Sequence, residues 1–329
     1  MSTSVRVILN PFTHGGKGER LRPAVETGLR QRGFDFDVQS TEGPGHAVEL
    51  AAGAVQAGAD RILVVGGDGT IHEVANGLLS AGPAPCPPVA VLPVGTGNDF
   101  HRMVQADPSV AGALALLEEG RAVPFDVGRA RWDGGSRFFV NLAGVGIDVA
   151  ILKRRRLFSR LPGKLQYLAA LASGLVDFRP MSVHVELDEL PSLECEALIA
   201  AVTVGPSVAG GIPLTPGASP FDGTLDFCLV ERLHLARILY YVPKVLRGTH
   251  THLPAVHLHR IRCMRFTLQD ERPFFFQMDG ELEGSTATWL EVRPAEVRLP
   301  VMVPDEVARQ AGADEEGERP ALDRPEDSS

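Results

Sequence analysis

The chain has 329 residues, of which 44% are hydrophobic and 22% are charged, and this composition is ordinary for globular domains. It excludes a wholly disordered chain, a collagen-like fibre and a small disulfide-bonded scaffold. Five of the nine net negative charges lie in residues 311–329, so the rest of the chain is nearly neutral and lacks the broad basic face that nucleic-acid binding requires.

Strands and helices alternate in the first part of the chain. Four short apolar or alternating runs predict strands, at residues 5–9, 35–39, 61–65 and 89–92. Four segments with helical spacing of apolar residues predict helices, at residues 21–32, 46–57, 71–79 and 110–119. Apolar strands that alternate with helices indicate a doubly wound parallel sheet that is covered on both faces. We therefore predict an α/β domain over residues 1–125.

From about residue 126 the pattern changes to strands separated by Pro and Gly turns. Six runs resemble strands, at residues 138–142, 182–187, 197–204, 225–230, 257–268 and 289–293. Helical spacing is found at residues 164–175 and 233–246. These patterns predict a β-sandwich domain of two packed antiparallel sheets over residues 126–295. Residues 311–329 contain Leu322 as their single large aliphatic residue, and we expect them to form a disordered acidic tail.

Three glycine-rich loops each follow a predicted strand of the first domain. They have the sequences NPFTHGGKG at residues 10–18, GGDGT at 66–70 and GTGND at 95–99. In an open parallel sheet such loops meet at the carboxyl ends of the strands, where their backbone N–H groups can surround a phosphate. The first loop matches neither GxxxxGK[ST] nor GxGxxG, and each loop alone is typical of a structural turn. Three of them on three strands predict a nucleotide phosphate site.

Two of these loops contain a carboxylate. Asp68 lies inside GGDGT, and a carboxylate beside a bound phosphate is repulsive unless a cation bridges the two, so Asp68 indicates Mg²⁺. Asp99 supports the same interpretation at the third loop. The alternative for Asp99 is that it only caps the helix that follows.

Further motifs follow these loops in a fixed order. They are DVG at 126–128, FVNLAGVGID at 139–148, TP at 215–216, FDGTLD at 221–226 and MDGE at 278–281. Together with the loops at 66–70 and 95–99, this set resembles the diacylglycerol kinase catalytic-domain family, most closely its bacterial lipid kinase branch, which is related to sphingosine and ceramide kinases. The resemblance extends from residue 5 to about residue 303. GGDGT alone is shared with NAD kinases, whereas the ordered set is specific.

The resemblance implies a fold and an activity. The fold is an α/β nucleotide-binding domain, similar to those of NAD kinase and phosphofructokinase, joined to a β-sandwich domain that binds the lipid. Residues 296–310 would return to the first domain. The activity is that of an ATP- and Mg²⁺-dependent lipid kinase, which phosphorylates a hydroxyl group of a membrane lipid, with diacylglycerol as the default acceptor.

The resemblance also assigns roles to residues. Glu281 matches the general base that takes the proton of the lipid hydroxyl, and Asp68 and Asp99 match carboxylates tied to the catalytic Mg²⁺ through water. The nucleotide contacts of the family match Asn10, Pro11, Thr13, Thr41, Gly66, Gly67, Asp68, Gly69, Thr70, Gly95, Thr96 and Asn98. A structural Mg²⁺ of bacterial relatives matches Ser219, Asp222 and Thr224. In those relatives the first of the three is commonly a lysine that contributes its backbone, so Ser219 would serve through its carbonyl.

The first loop departs from the family pattern. The family usually has Asn-Pro-x-Ser-Gly, whereas this chain has Asn10-Pro11-Phe12-Thr13-His14. Thr13 keeps a hydroxyl group, and His14 stands where a glycine normally allows close approach of phosphate. The glycines are displaced by one residue along the chain.

A basic run without acids lies in the second domain. It contains Lys153, Arg154, Arg155, Arg156, Arg160 and Lys164. It is either a solvated loop or a peripheral contact with an anionic membrane, which attracts such a run by about 1 kcal/mol per basic residue. No apolar run approaches the roughly 18 residues of a membrane span, and the N-terminus lacks the features of a secretory signal. We therefore expect a cytoplasmic enzyme that meets its lipid at the inner face of the membrane, with no nucleic-acid partner and with a homodimer left open.

Two alternative functions stay open. An NAD kinase would share residues 66–70, although the loops at 95–99 and 278–281 favour a lipid kinase. A non-catalytic nucleotide-binding regulator on the same fold is the second alternative. The retained Asp68, Asp99 and Glu281 count against it.

Overall fold

The structure is a computed structural model that describes residues 3–82, 85–158, 161, 163–188 and 190–315. It divides into two units. The first unit contains the described residues up to Val127, together with Phe138–Val140 and Ala295–Ala311. The second contains Gly128–Arg137, Asn141–Pro294 and the described residues from Gly312 onward. None of the described helices is both long and apolar enough to cross a bilayer.

The described residues form seventeen strands and nine α-helices. The strands are β1 (Ser4–Leu9), β2 (Asp35–Ser40), β3 (Arg61–Gly66), β4 (Val89–Pro93), β5 (Arg121–Phe125), β6 (Gly128–Trp132), β7 (Gly135–Phe139), β8 (Leu142–Gly146), β9 (Met181–Leu187), β10 (Leu193–Thr203), β11 (Leu225–Glu231), β12 (Val256–Ile261), β13 (Met264–Leu268), β14 (Phe274–Met278), β15 (Glu281–Ala287), β16 (Trp289–Pro294) and β17 (Leu299–Val303). The helices are α1 (Thr13–Gln31), α2 (His46–Gln56), α3 (Asp68–Ser80), α4 (Asp99–Val104), α5 (Val110–Glu119), α6 (Ile147–Arg155), α7 (Gly163–Asp177), α8 (Leu235–Leu246) and α9 (Asp305–Glu315).

A six-stranded sheet forms the centre of the first unit, in the order β2-β1-β3-β4-β17-β5. All neighbouring strands are parallel except β17 and β5. The central strands β3 and β4 are buried almost throughout, as their continuous apolar sequences predict. Helix α1 packs against α5, and α2 packs against α3. The predicted α/β fold with a doubly wound parallel sheet is confirmed.

The second unit contains an antiparallel sheet of eleven strands. Strand β10 joins its parts, because residues 193–197 pair with β9 whereas residues 199–203 pair with both β8 and β11. The predicted β-sandwich is confirmed. Its strands nevertheless belong to one hydrogen-bonded sheet rather than two, since β10 is long enough to take part in both layers.

Three helices cover one face of this sheet. Helices α6, α7 and α8 contribute to a hydrophobic cluster that also contains Ile199, Ala201, Cys228 and Val230. Because side chains two residues apart lie on the same side of a strand, these four residues define one face of β10 and β11. The cluster fixes the position of the three helices on the second unit.

Two predicted strands are broken in the structure. The run at 138–142 is divided between β7 and β8, because the backbone N–H of Asn141 donates to the carboxylate of Asp279 at 2.9 Å. The run at 257–268 is divided between β12 and β13, and the N–H of Arg262 donates to Asp188 at 2.8 Å. In both places the carboxylate of an aspartate distant in sequence accepts a hydrogen bond from a backbone N–H group at the break between the two strands.

The C-terminal segment is more ordered at its start than predicted. We expected residues 311–329 to be disordered, but helix α9 continues to Glu315. Ala311 is buried, and the carboxylate of Asp314 accepts a hydrogen bond from the hydroxyl of Ser219 at 2.6 Å. These contacts order residues 311–315. The rest of the predicted tail, residues 316–329, lies outside the described residues.

Candidate active site

Polar side chains connect the ends of the first strands. The Nδ2 of Asn10, just after β1, donates to the Oγ1 of Thr70 at 3.0 Å, and the buried Thr70 lies in GGDGT. The backbone N–H of Thr41, just after β2, donates to the carbonyl of Leu9 at 2.9 Å. Asn10, Thr41 and Thr70 therefore lie at one edge of the sheet, where the carboxyl ends of the parallel strands meet.

The second and third loops touch each other through glycines. A Cβ atom at Gly67 would lie 3.0 Å from the Cα of Gly95, and one at Gly95 would lie 2.8 Å from the Cα of Gly67. A Cβ at Gly66 would lie 2.6 Å from the Cβ of Thr70. The two loops can approach this closely only because these positions carry no side chain.

Replacing Gly95 by alanine is expected to weaken the ATP binding that the resemblance implies by roughly tenfold or more and to lower stability by about 1–3 kcal/mol. The new methyl group forces the two loops apart, and it also lies 2.9 Å from the Oδ1 of Asn98. Calorimetric titration with ATP and thermal unfolding measure the two effects. Gly53→Ala is the matched control, because a Cβ at that helical glycine meets nothing within 4 Å. Unchanged ATP affinity in Gly95→Ala would mean that the contact between the loops does not shape the site.

The carboxylate of the second loop contacts the backbone that follows the third loop. The Oδ1 of Asp68 accepts a hydrogen bond from the backbone N–H of Phe100 at 3.2 Å, and Phe100 directly follows Asp99. Asp99 is only 5% exposed. Asn98, and not Asp99, occupies the N-cap position of α4, so the structure does not support the capping alternative for Asp99.

These residues have the donor chemistry of a Mg²⁺ site. Mg²⁺ prefers carboxylate and other oxygen ligands and keeps several of its waters. Asp68 and Asp99 supply the carboxylates. The buried Oδ1 of Asn98 has no hydrogen-bond partner within the described part of the chain. It is an acceptor that a bound water can satisfy.

The first loop reaches an unusual backbone conformation at the start of α1. His14, Gly15 and Gly16 have φ angles of 47°, 65° and 82°, all in the left-handed region. His14 thus adopts the conformation that glycine adopts without strain, and its side chain is exposed. The methyl group of Thr13 lies 3.9 Å from the position of a Cβ at Gly67. The loop therefore approaches GGDGT despite its departure from the family sequence.

Glu281 lies at the tip of a β-hairpin in the second unit. Asp279 and Gly280 connect β14 to β15 with φ angles of 48° and 91°, which is the two-residue turn typical of tight hairpins. The Oδ1 of Asp279 accepts from the backbone N–H groups of Asn141 and Leu142, each at 2.9 Å. These bonds attach the hairpin tip to the start of β8. Glu281, the next residue, is exposed.

The buried carboxyl group of Asp148 supports this hairpin through the side chain of Gln277. The Oε1 of Gln277 accepts from the N–H of Gly280 at 2.9 Å, and the Nε2 of Gln277 donates to the Oδ2 of Asp148 at 3.2 Å. Burial raises the pKa of Asp148 from 3.8 to about 6. A Cβ at Gly144 would lie 2.0 Å from the same Oδ2, so only glycine leaves room for the carboxyl group.

Asp148→Asn is expected to change how stability depends on pH. Since burial raises the folded pKa from 3.8 to about 6, the folded state binds the proton more tightly than the unfolded chain does. The contribution of Asp148 to stability is therefore complete below about pH 4 and is lost as the pH rises through about 6. Between these limits the wild type should lose about 3 kcal/mol relative to Asp148→Asn.

Denaturant unfolding at a series of pH values measures this difference. The matched control is Asp133→Asn, because hydrogen bonds from Thr288 lower the pKa of Asp133. Its contribution is lost as the pH falls, which is the opposite direction. Parallel pH profiles for the wild type and Asp148→Asn would contradict the raised pKa of Asp148.

The residues predicted to hold a structural metal form a separate turn of the second unit. The Oδ1 of Asp222 accepts from the N–H and the hydroxyl of Thr224, at 3.0 and 2.6 Å. Its buried Oδ2 has no hydrogen-bond partner among the described residues and lies 3.7 Å from the Nε of Arg260. The hydroxyl of Ser219 donates to Asp314. The Oδ2 of Asp222 therefore fits a cation ligand, whereas both hydroxyls already have protein partners.

The structure brings most of the predicted nucleotide contacts together in the first unit. Pro11, Gly69 and the exposed Thr96 lie in the same three loops. Glu281 and the residues at 219–224 belong to the second unit. Sequence reasoning gave no role to Asp148 and Gln277, although both lie in or beside quoted motifs, because their contact joins positions 129 residues apart.

Two family models match the chain. The model described as the diacylglycerol kinase catalytic domain matches residues 4–130. The model described as the YegS C-terminal NAD kinase beta sandwich-like domain matches residues 141–301. The two matches together cover most of the described residues of both units.

Curated relatives and solved structures agree with these models. A diacylglycerol kinase of Staphylococcus saprophyticus is 29% identical over 286 residues, covering 86% of this chain and 90% of the relative. A diacylglycerol kinase of Staphylococcus aureus is 28% identical over 313 residues, covering 94% and 95%. A diacylglycerol kinase structure from Bacillus anthracis has a TM-score of 0.65 at 20% identity, covering 93% and 98%. An NAD kinase from Archaeoglobus fulgidus in complex with ATP has a TM-score of 0.53 at 14% identity, covering 95% and 99%, so it shares the fold.

Proposed function

Because the chain belongs to the diacylglycerol kinase catalytic-domain family, in its bacterial lipid kinase branch, we propose that it transfers the γ-phosphoryl group of ATP to a hydroxyl group of a membrane lipid, with diacylglycerol as the default acceptor. One observation carries the proposal. GGDGT and GTGND approach each other through their glycines, and Asp68 lies beside the start of α4. Glycine-rich loops of this kind can direct backbone N–H groups at phosphate oxygens.

The first unit holds the phosphate donor in this proposal. Asn10, Thr13, Thr41 and the loops at 66–70 and 95–98 contact the nucleotide, and the N-terminus of α3 adds its positive dipole end. Phosphoryl transfer depends mainly on positioning and on stabilising charge. Asp68 and Asp99 would hold a Mg²⁺ through water, and this ion supplies neutralisation of the developing phosphate charge.

The second unit contains the residue that we propose as the general base. Glu281 accepts the proton of the lipid hydroxyl, a task that suits a carboxylate within hydrogen-bond reach of the acceptor. The buried Oδ1 of Asn141 has no hydrogen-bond partner in the part of the chain that the structure describes. This oxygen lies beside the turn at Asp279 and can accept a hydrogen bond from a bound group, which supports the proposal. Asp148 acts only through Gln277 and the turn, so it is a positioning residue.

We keep the structural Mg²⁺ at Asp222 as a separate proposal, supported by its unsatisfied Oδ2. Saturating Mg²⁺ is then expected to raise the melting temperature relative to EDTA, by about 2–4 °C for each kcal/mol of binding. Asp222→Asn should abolish the difference, whereas Asp270→Asn, an exposed acid of the same unit paired with Arg272, should keep it. Equal melting temperatures in Mg²⁺ and EDTA would leave Arg260 as the counter-charge of Asp222.

We also propose a peripheral membrane contact through the basic run from Lys153 to Lys164. Lys153 and Arg154 line a cavity of about 310 Å³ together with Arg179, Arg272 and apolar side chains, which supports contact with an anionic headgroup. The Nζ of Lys153 lies 3.8 Å from the centroid of the Phe275 ring. Arg160 lies outside the described residues, and the side chains of Arg155, Arg156 and Lys164 are not described.

Transfer of labelled phosphate from ATP to a panel of acceptors tests the proposed function. The panel contains diacylglycerol, phosphatidylglycerol, a polyprenol and a sphingoid base in mixed micelles, with NAD as a soluble acceptor. We expect Mg²⁺-dependent transfer to one lipid. Transfer to NAD would assign the chain to NAD kinase chemistry. Clear ATP binding without transfer to any acceptor would favour a nucleotide-binding regulator.

A further inference from the structure

Helix α8 has two apolar faces, and only one of them is buried. Ile238 and Tyr241 pack into the hydrophobic cluster of the second unit. Leu235, Leu239 and Tyr240 are 64%, 67% and 58% exposed, and we call these three residues the apolar face of α8. Leu235 and Leu239 are four residues apart and are therefore neighbours on the helix surface. A helix on the surface of a globular domain normally directs polar side chains outward, so an outward apolar face of this kind indicates an interaction surface.

The charges around the apolar face have one sign. Arg237, Lys244 and Arg247 are the charged residues of α8 and its C-cap, and we call them the basic rim. No aspartate or glutamate occurs between residues 232 and 269. The Nζ of Lys244 lies 4.8 Å from the centroid of the Tyr240 ring, so a cation stands beside the apolar face. An apolar face bordered by basic side chains is typical of a helix that lies in the plane of a membrane interface.

We propose that α8 docks the second unit on a bilayer that contains anionic phospholipid. The apolar face enters the headgroup region, where leucine and tyrosine side chains are favourable, and the basic rim contacts lipid phosphates. The inference rests on the proposed function for the identity of the partner, since a lipid acceptor lies in a bilayer and no described helix spans one. It adds a second contact to the basic run at 153–164, on a helix that packs on the same hydrophobic cluster as α6 and α7.

A second copy of the chain fits this surface less well than a bilayer does. A stable dimer buries about 1,200–2,000 Å² in total, far more than three exposed side chains supply. In a two-fold contact each copy presents the same surface, so one basic rim would face the other. An anionic lipid surface satisfies the apolar face and the basic rim together.

Co-sedimentation with vesicles tests the inference. We expect the full chain to bind phosphatidylcholine vesicles containing about 30% phosphatidylglycerol more tightly than pure phosphatidylcholine vesicles. Leu235→Ser/Leu239→Ser/Tyr240→Ser should weaken binding to the anionic vesicles by at least roughly tenfold. Val297→Ser, an exposed apolar residue of the first unit, is the matched control and should leave binding unchanged. Circular dichroism establishes that each variant is folded.

A second variant changes only the basic rim. Arg237→Gln/Lys244→Gln/Arg247→Gln should weaken binding to the anionic vesicles on the order of 100-fold and leave binding to neutral vesicles nearly unchanged. Anionic-vesicle binding that neither variant weakens overturns the inference. The same holds if only Lys153→Ala/Arg154→Ala weakens it. A change of oligomeric state in the apolar-face variant, with vesicle binding unchanged, would instead make α8 a contact between copies.

The kinase assay separates this inference from the proposed function. With a short-chain diacylglycerol that is soluble as a monomer, the apolar-face variant should keep wild-type activity, and with vesicles it should lose activity in proportion to binding. A wild type that phosphorylates no acceptor, yet binds anionic vesicles through α8, would overturn the proposed function and support the docking helix.

Discussion

Replacing Glu281 by glutamine is expected to lower kcat for lipid phosphorylation by about 10²–10⁴-fold, which is the usual contribution of a positioned general base. Affinity for ATP should stay within about twofold of the wild type, because Glu281 belongs to the second unit and the glycine-rich loops proposed to bind ATP belong to the first. Glutamine keeps the size of the side chain and removes its ability to take a proton. The variant thus separates chemistry from binding.

The expected result follows from how the hairpin holds Glu281. Asp279 is bonded to two backbone N–H groups of the segment that starts β8, and Gly280 is bonded to Gln277. None of these bonds uses the Glu281 side chain, so Glu281→Gln leaves the turn intact. The substitution therefore removes the carboxylate and leaves unchanged the hydrogen bonds that hold the turn.

Glu283→Gln is the matched control for this variant. Glu283 lies on the same strand two residues away and pairs with Arg137 at the surface, so its loss should leave kcat nearly unchanged. Single-turnover kinetics and calorimetric ATP titration on both variants provide the measurement. If Glu281→Gln loses ATP affinity as severely as it loses transfer, Glu281 is not the base.

The fold of the first unit was predictable because its strands are uninterrupted apolar runs. The sequences VRVIL, RILVV and VAVL correspond to β1, β3 and β4, and only a parallel sheet covered on both faces buries such runs on both sides. The glycine-rich loops then had to lie at one edge of the sheet. The close approach of Gly67 and Gly95 could not be predicted from the sequence, because it depends on the path of two loops in the folded chain.

The second unit shows where local patterns fail. Residues 138–142 are apolar enough for one strand. The strand nevertheless ends where the carboxylate of Asp279 accepts hydrogen bonds from the backbone N–H groups of Asn141 and Leu142. The partners are separated by 138 and 137 residues, so no window of sequence contains both. Periodicity reports on the neighbours of a residue, whereas these breaks are set by tertiary contacts.

The support of the site was missed for the same reason. GVGID and QMDGE were both visible as motifs, but the bond between Asp148 and Gln277 joins them only in the folded chain. The raised pKa of Asp148 likewise depends on burial that its own sequence neighbours do not reveal. The family resemblance implies roles for Glu281 and Asp68, and it implies none for Asp148 and Gln277, whose contacts support the hairpin.

Asp68→Asn is expected to lower the rate of phosphoryl transfer by about 10²–10³-fold. It should also change the affinity for ATP in opposite directions with and without Mg²⁺. The carboxylate lies beside the loops that would hold phosphate, so in the absence of a cation it repels the triphosphate. Removing its charge should therefore tighten binding of metal-free ATP severalfold and weaken binding of MgATP. The asparagine Oδ1 can still accept the N–H of Phe100, so the contact between the loops is preserved.

The opposite changes in affinity for metal-free ATP and for MgATP distinguish a cation-binding carboxylate from a structural one. If Asp68 only fixes the start of α4, Asp68→Asn keeps both the transfer activity and the same preference between ATP and MgATP as the wild type. Asp35→Asn, an exposed acid at the start of β2, is the matched control and should alter neither binding nor transfer. Calorimetric titration of ATP in EDTA and in excess Mg²⁺ measures both affinities. Weaker binding of metal-free ATP in Asp68→Asn would contradict the electrostatic argument, because removing a repulsive charge from a phosphate site can only favour the anion.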